Sequence, residues 1–118
     1  MTGLTILKQA YSMLGDEVHL AMVDGDERGL AAVNQIYSEL WSREHRTPFQ
    51  PLDALHQPML LSWRFLPAMA YGTAMLLSVG DENKSVHDRF LTLYRRAASY
   101  SGGVYGKRED TLWQRETV

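Results

Sequence analysis

Apolar positions recur along this chain at helical spacing, and in one stretch the alternation with polar residues stops. Leu4, Leu7, Tyr11 and Leu14 follow steps of three and four, the stripe of an amphipathic helix. Thr2 or Thr5 can cap its start, and Gly15 can close it in a left-handed turn. Residues 16–25 read as a loop with at most a helical turn. A second helix starts near Asp24 or Asp26, where Asp24 and Glu27 have the spacing of a capping box. Its inner stripe is Leu30, Val33, Tyr37, Leu40 and Trp41. The spacing predicts an end near Arg46, because Thr47 precedes Pro48 and is pushed out of the helical region.

Residues 47–66 hold Pro48, Pro51 and Pro58 among Phe49, Leu52, Leu55, Met59, Leu60 and Leu61. So long a connection without regular structure is unusual, and its apolar content predicts that it packs down as a lid or carries a short strand or turn. Then comes the exception: Phe65 to Gly80 contains no charged residue in a chain that is 22% charged. Pro67 suits the first turn of a third helix and Gly80 its end. A helix apolar on nearly every side has no stripe to offer water, so its own bundle, neighbouring subunits or both must cover it. Ala68, Gly72 and Met75 form one row and Ala70, Ala74 and Leu77 another, small enough for a second helix to approach closely. Gly80 to Asn83 reads as a tight connector, with Asp81 or Asn83 capping a fourth helix antiparallel to the third. That helix carries Val86, Phe90, Leu93, Tyr94 and Ala97 on its stripe. From Ser101 the pattern stops.

The fold expected is all-α: a small bundle of about four helices, with a long proline-rich connection between helices two and three and an extended C-terminal tail. Residues 1–101 form the helical domain and 102–118 the tail. The tail keeps Tyr105, Leu112 and Trp113 among glycines and charges, which suggests a segment that orders on docking.

Composition narrows the chemistry. The chain of 118 residues fits one domain, and 12 basic against 14 acidic residues give a net charge of −2. A dedicated nucleic-acid binder would show a basic excess. With no cysteine, disulfides and thiolate metal sites are excluded. The N-terminus lacks the basic head and cleavage site of a signal peptide, and the uncharged run is too short to span a bilayer, so the expectation is a product of the cytosol with no membrane partner. His19, His45, His56 and His87 have no metal-ligand spacing, and neither a nucleophile elbow nor a phosphate loop occurs. Asp24, Asp26, Asp81 and Glu82 suit helix starts, where carboxylates meet free N–H groups. The chain therefore reads as no enzyme, with no cofactor, no metal and no catalytic residue. Arg89, Arg95, Arg96, Lys107 and Arg108 make a weak basic zone, either a solvated face or a contact for DNA phosphates or an acidic partner.

An ordered series of residues adds a resemblance. Asn34-Gln35-Ile36-Tyr37 with Leu40-Trp41, Pro48-Phe49 with Leu52, Leu66-Pro67, Ala70-Tyr71-Gly72, Ala74 to Leu77, Gly80-Asp81, and Phe90, Leu93-Tyr94 and Arg96-Ala97 follow one another across roughly residues 30–98. In this series the chain resembles the small helical head–tail connector (adaptor) proteins of tailed bacteriophages. The resemblance implies a compact helical subunit of a virion ring, commonly of twelve copies, assembled in the host cytoplasm. The ring docks on the portal protein, mounts the stopper or tail-completion protein, and lets double-stranded DNA pass without sequence-specific binding. A closed ring needs two different adhesive faces on each subunit. Trp41, Phe49, Tyr105, Leu112 and Trp113 are the candidate partner contacts, although Trp41 fits a core stripe equally well. The alternative is a small helical DNA-binding or DNA-packaging module using the basic zone.

Overall fold

Each helix starts or stops where the backbone finds a local partner. The computed structural model describes residues 1–78 and 84–106, the last seven of these as backbone only. Helix α1 spans Gly3–Leu14; the Thr2 hydroxyl accepts from the Thr5 amide, and Gly15 ends the helix at φ 71°, returning its N–H to Ser12 and Tyr11. A short helix, α2, covers Glu17–Leu20 behind an Asp16 cap. Helix α3 spans Glu27–Trp41, and its cap is Asp26, which accepts from the Gly29 amide; Asp24 is exposed and the Asp24–Glu27 capping box does not form. Helices α4 (Leu66–Leu77) and α5 (Lys84–Gly106) complete the set, with a 3-10 turn at Trp63–Phe65 ahead of α4. The described residues are predominantly helical and contain no strand beyond the isolated bridge of Thr2 with Pro58.

Two expected helix ends are corrected. Helix α3 stops at Trp41, short of Arg46, because the chain beyond it is recruited elsewhere. The Trp41 indole donates to the Thr47 carbonyl at 2.6 Å, the Glu44 carboxylate accepts from the Ser62 amide at 2.9 Å, and His45 donates to the Leu60 carbonyl at 2.6 Å. Helix α5 runs past Ser101, where the apolar pattern stops, to Gly106. The expected Gly80–Asn83 connector and the segment after Gly106 lie outside the described residues.

Helix α4 is the centre of the molecule, packed against α1, α3 and α5. Eight of its twelve residues are buried, so the chain itself covers most of the uncharged helix; Tyr71 and Leu76 stay half-buried. Gly72 is where the three helices meet: a Cβ there would lie 2.9 Å from Ile36 of α3 and 2.9 Å from Tyr94 of α5. Helices α4 and α5 run antiparallel, since His87 donates to Met75, Phe90 packs on Tyr71, and α5 reaches the 3-10 turn further on.

The proline-rich connection is stitched down by polar clamps. Asn34 of α3 donates to the Leu52 carbonyl at 2.9 Å and accepts from the Leu52 amide at 2.8 Å. Leu4 of α1 donates to Leu55, and Met59 donates to Met1, both at 2.8 Å. Leu52, Leu55, Met59 and Leu61 then fall into the core.

Candidate functional site

The polar clamps that fix the connection also force two of its large apolar side chains outward. The Leu60 amide donates to the Tyr37 hydroxyl at 2.9 Å while its carbonyl accepts from His45, which leaves the Leu60 side chain 65% exposed. Three positions on, Trp63 is 62% exposed. Its neighbours are held: the Ser62 amide donates to Glu44, and Arg64 pairs with the same carboxylate at 3.5 Å while lying 4.8 Å over the Phe65 ring. Phe65 is fully buried. Trp63 is therefore an exposed indole on a braced backbone, the state in which an aromatic anchor loses least entropy on docking.

The other large exposed apolar side chains among the described residues are Met13 on α1, Val18 on α2 and Met22 just after it. Met13 borders a shallow groove of about 410 Å³ between α1 and α4, bounded also by Ser12, Leu66, Pro67, Ala70 and Tyr71. Every residue lining this groove is uncharged.

Trp41 and Phe49 are brought together, but inward. Trp41 is 8% exposed, stacks on His45 at 3.9 Å, and meets Tyr37 and Phe49 edge-on at 5.7 and 6.0 Å. Phe49 is half-buried against Tyr37. These rings anchor the connection to α3. Tyr105 lies in the backbone-only end of α5, and Leu112 and Trp113 fall outside the described residues, as do Lys107 and Arg108. Arg89, Arg95 and Arg96 are exposed on α5; Arg89 and Arg96 stand seven residues apart, near one face, and Arg95 is turned about 100° from it.

Trp63 and Leu60 were missed as docking residues by pattern reasoning. Trp63 stands between polar Ser62 and Arg64, outside any helical stripe, which is the signal that could have marked it. No helical period applies in the connection, so spacing could not separate its inward from its outward residues.

Two other concavities are polar. One, of about 410 Å³, is bordered by Asp24, Asp26, Glu27, Asp53 and His56. Asp26 is already engaged by the Gly29 amide and the Tyr11 hydroxyl. The second, of about 350 Å³, lies among Tyr11, Asp16, His19, Arg28 and Leu77. There the His19 amide, and secondarily its ring, hold Asp16 below the usual carboxylate range. Arg28 donates to the Leu77 carbonyl at 2.8 Å, tying α3 to the end of α4. Among the described residues no group of three or more His, Asp or Glu is placed to hold a metal ion, and no helix is long and apolar enough to cross a membrane.

Compared with known protein families, with curated proteins and with solved structures, the chain matches none.

Proposed function

We propose that this protein is a structural assembly component, an adaptor subunit of a phage head–tail connector that docks on a portal ring and mounts a stopper or tail-completion protein. The observation that carries the docking role is the braced exposure of Trp63 with Leu60 on the stitched-down connection. Bracing removes most of the ordering cost that a mobile contact would incur on association. The phage setting comes from the sequence resemblance over residues 30–98. In this reading twelve copies form a ring on the portal, DNA slides through its channel, and a net charge of −2 keeps the bore from gripping the phosphates.

The test is co-expression with the portal protein encoded in the same genome. The expected result is co-purification of the two as a ring, and a loss of binding of at least tenfold in the Trp63→Ser/Leu60→Ser variant while its thermal unfolding stays close to the parent's. A chain that binds no portal from its own genome overturns the reading.

Exposed Arg89, Arg95 and Arg96 favour the second reading, a DNA-binding or packaging module. It requires duplex binding that weakens steeply between low and moderate salt, and the absence of any shift at low salt removes it.

A further inference from the structure

We infer that copies of this chain meet head to tail, the corner carrying Val18 and Met22 of one copy seated against the platform of Leu60 and Trp63 on the next. The inference rests on the reading of Leu60 and Trp63 as docking residues and names the surface they meet. Both surfaces are apolar pairs on a fixed backbone. Val18 and Met22 are 68% and 63% exposed, and they stand one helical turn apart, because the Ala21 amide donates to Glu17 and the Met22 amide to His19. The corner is braced from beneath: Asp16 accepts from the His19 amide, the His19 ring stacks on Tyr11 at 5.3 Å, and Val23 is buried.

The rims carry opposite charge. Residues 16–27 hold Asp16, Glu17, Asp24, Asp26 and Glu27 and neither lysine nor arginine. Arg28, bonded to the Leu77 carbonyl, and Lys84 at the start of α5 offset part of this. At the platform, Arg46 follows the His45 that holds Leu60, and Arg64 follows Trp63. Arg43 donates to the Ala98 carbonyl at 3.1 Å, so Arg95 and Arg96 lie within a turn of the same end. The acids there are engaged, Glu44 by Ser62 and Arg64 and Glu39 by Tyr94. A corner meets a platform with attraction, whereas two corners or two platforms face like charge. The contact is therefore heterologous and not two-fold.

A single chain cannot make this contact with itself. Arg28 donates to the end of α4, and Glu44 accepts from Ser62 just ahead of α4, so α3 and α4 run antiparallel. Corner and platform then sit at opposite ends of α3, whose 15 residues span about 22 Å. Four apolar side chains and a few exposed ion pairs, each worth about 0–1 kcal/mol, make a weak joint. It forms where local concentration is raised, and neighbours so joined approach a portal with an avidity that single subunits lack.

The chain has no cysteine, so Met22→Cys and Leu60→Cys each introduce a single thiol at an exposed position. The two proteins are mixed in equal amounts without portal, at low salt and well above micromolar concentration, and treated with a short bis-maleimide. The expected result is a mixed dimer about tenfold in excess of the statistical proportion, an excess that falls as salt is raised. Glu17→Lys with Asp24→Lys in the Met22→Cys chain should remove that excess, and Arg46→Glu with Arg96→Glu in the Leu60→Cys chain should restore it. Statistical proportions overturn the inference. So does an excess of like dimers, which assigns the faces to two-fold pairing, and so does an excess that the charge reversals leave unchanged. With no portal in the mixture, a failure here is separate from a failure of portal co-purification.

Discussion

Two tyrosines join pairs of helices through part-buried hydrogen bonds to carboxylates. Tyr94 of α5 donates to Glu39 of α3 at 2.6 Å, and Tyr11 of α1 donates to Asp26, the cap of α3. Each joins two helices through one proton. Burial disfavours the phenolate, and the carboxylate beside it disfavours it further, so both groups hold their protons well above the ordinary value of 10.0. Above about pH 10 the unfolded chain sheds protons that the folded chain retains. Stability from these groups is therefore complete below that pH and lost as pH rises. Urea unfolding should show a falling midpoint above about pH 10, and Tyr94→Phe should flatten that fall and cost about 1–2 kcal/mol at neutral pH. A stability curve for the parent that stays level up to about pH 11 would refute the assignment.

At the scale of the element, Gly72 decides how closely α3, α4 and α5 pack. Alanine there gains about 1 kcal/mol of helix propensity. The new methyl, however, would stand 2.9 Å from two atoms of Ile36, which is fully buried, and 2.9 Å from the Tyr94 ring. Overpacking of that kind costs about 1–3 kcal/mol, so Gly72→Ala should lower the unfolding midpoint on balance. A stabilised variant would show that the three helices can spread at no cost. The sequence announces this crowded centre, because small residues and the absence of charge from Phe65 to Gly80 leave α4 no route to water. The Thr2 cap and the Gly15 stop are equally legible, being local bonds between near neighbours. Legibility fails where distant partners intervene. Helix α3 is cut at Trp41 by bonds to residues in the connection, and of the two starts the pattern left open, Asp24 and Asp26, the cap is Asp26, whose side chain Tyr11 also bonds. Helix α5 overruns Ser101 through Gly102 and Gly103, residues whose weak propensity argues for an earlier stop. The candidate contacts divide in the same way. Trp41 has a helical period to read and is turned inward, whereas Trp63 has none, and only the clamps around Glu44 send it outward.

For the whole molecule, the question is whether the subunit needs company to hide its apolar surface. The uncharged helix raised that prospect, yet α1, α3 and α5 wrap it within one chain. Among the described residues the large apolar side chains left open are Met13 on α1, Val18 and Met22 on and just after α2, and Leu60 and Trp63 on the connection. A stable interface buries about 800 Å² per partner around a packed centre. Two exposed anchors on the connection and one shallow groove between α1 and α4 fall short of that for each of the two faces a ring requires. The isolated protein should accordingly sediment as a single 13.4 kDa chain at micromolar concentration, and under the proposed adaptor role rings should form only where a portal aligns the subunits and raises their local concentration. Analytical ultracentrifugation of the purified chain, with and without portal, is the measurement. A closed ring formed by the chain alone would mean that the adhesive faces lie elsewhere than Trp63 and Leu60, and that assembly draws on residues beyond the described core.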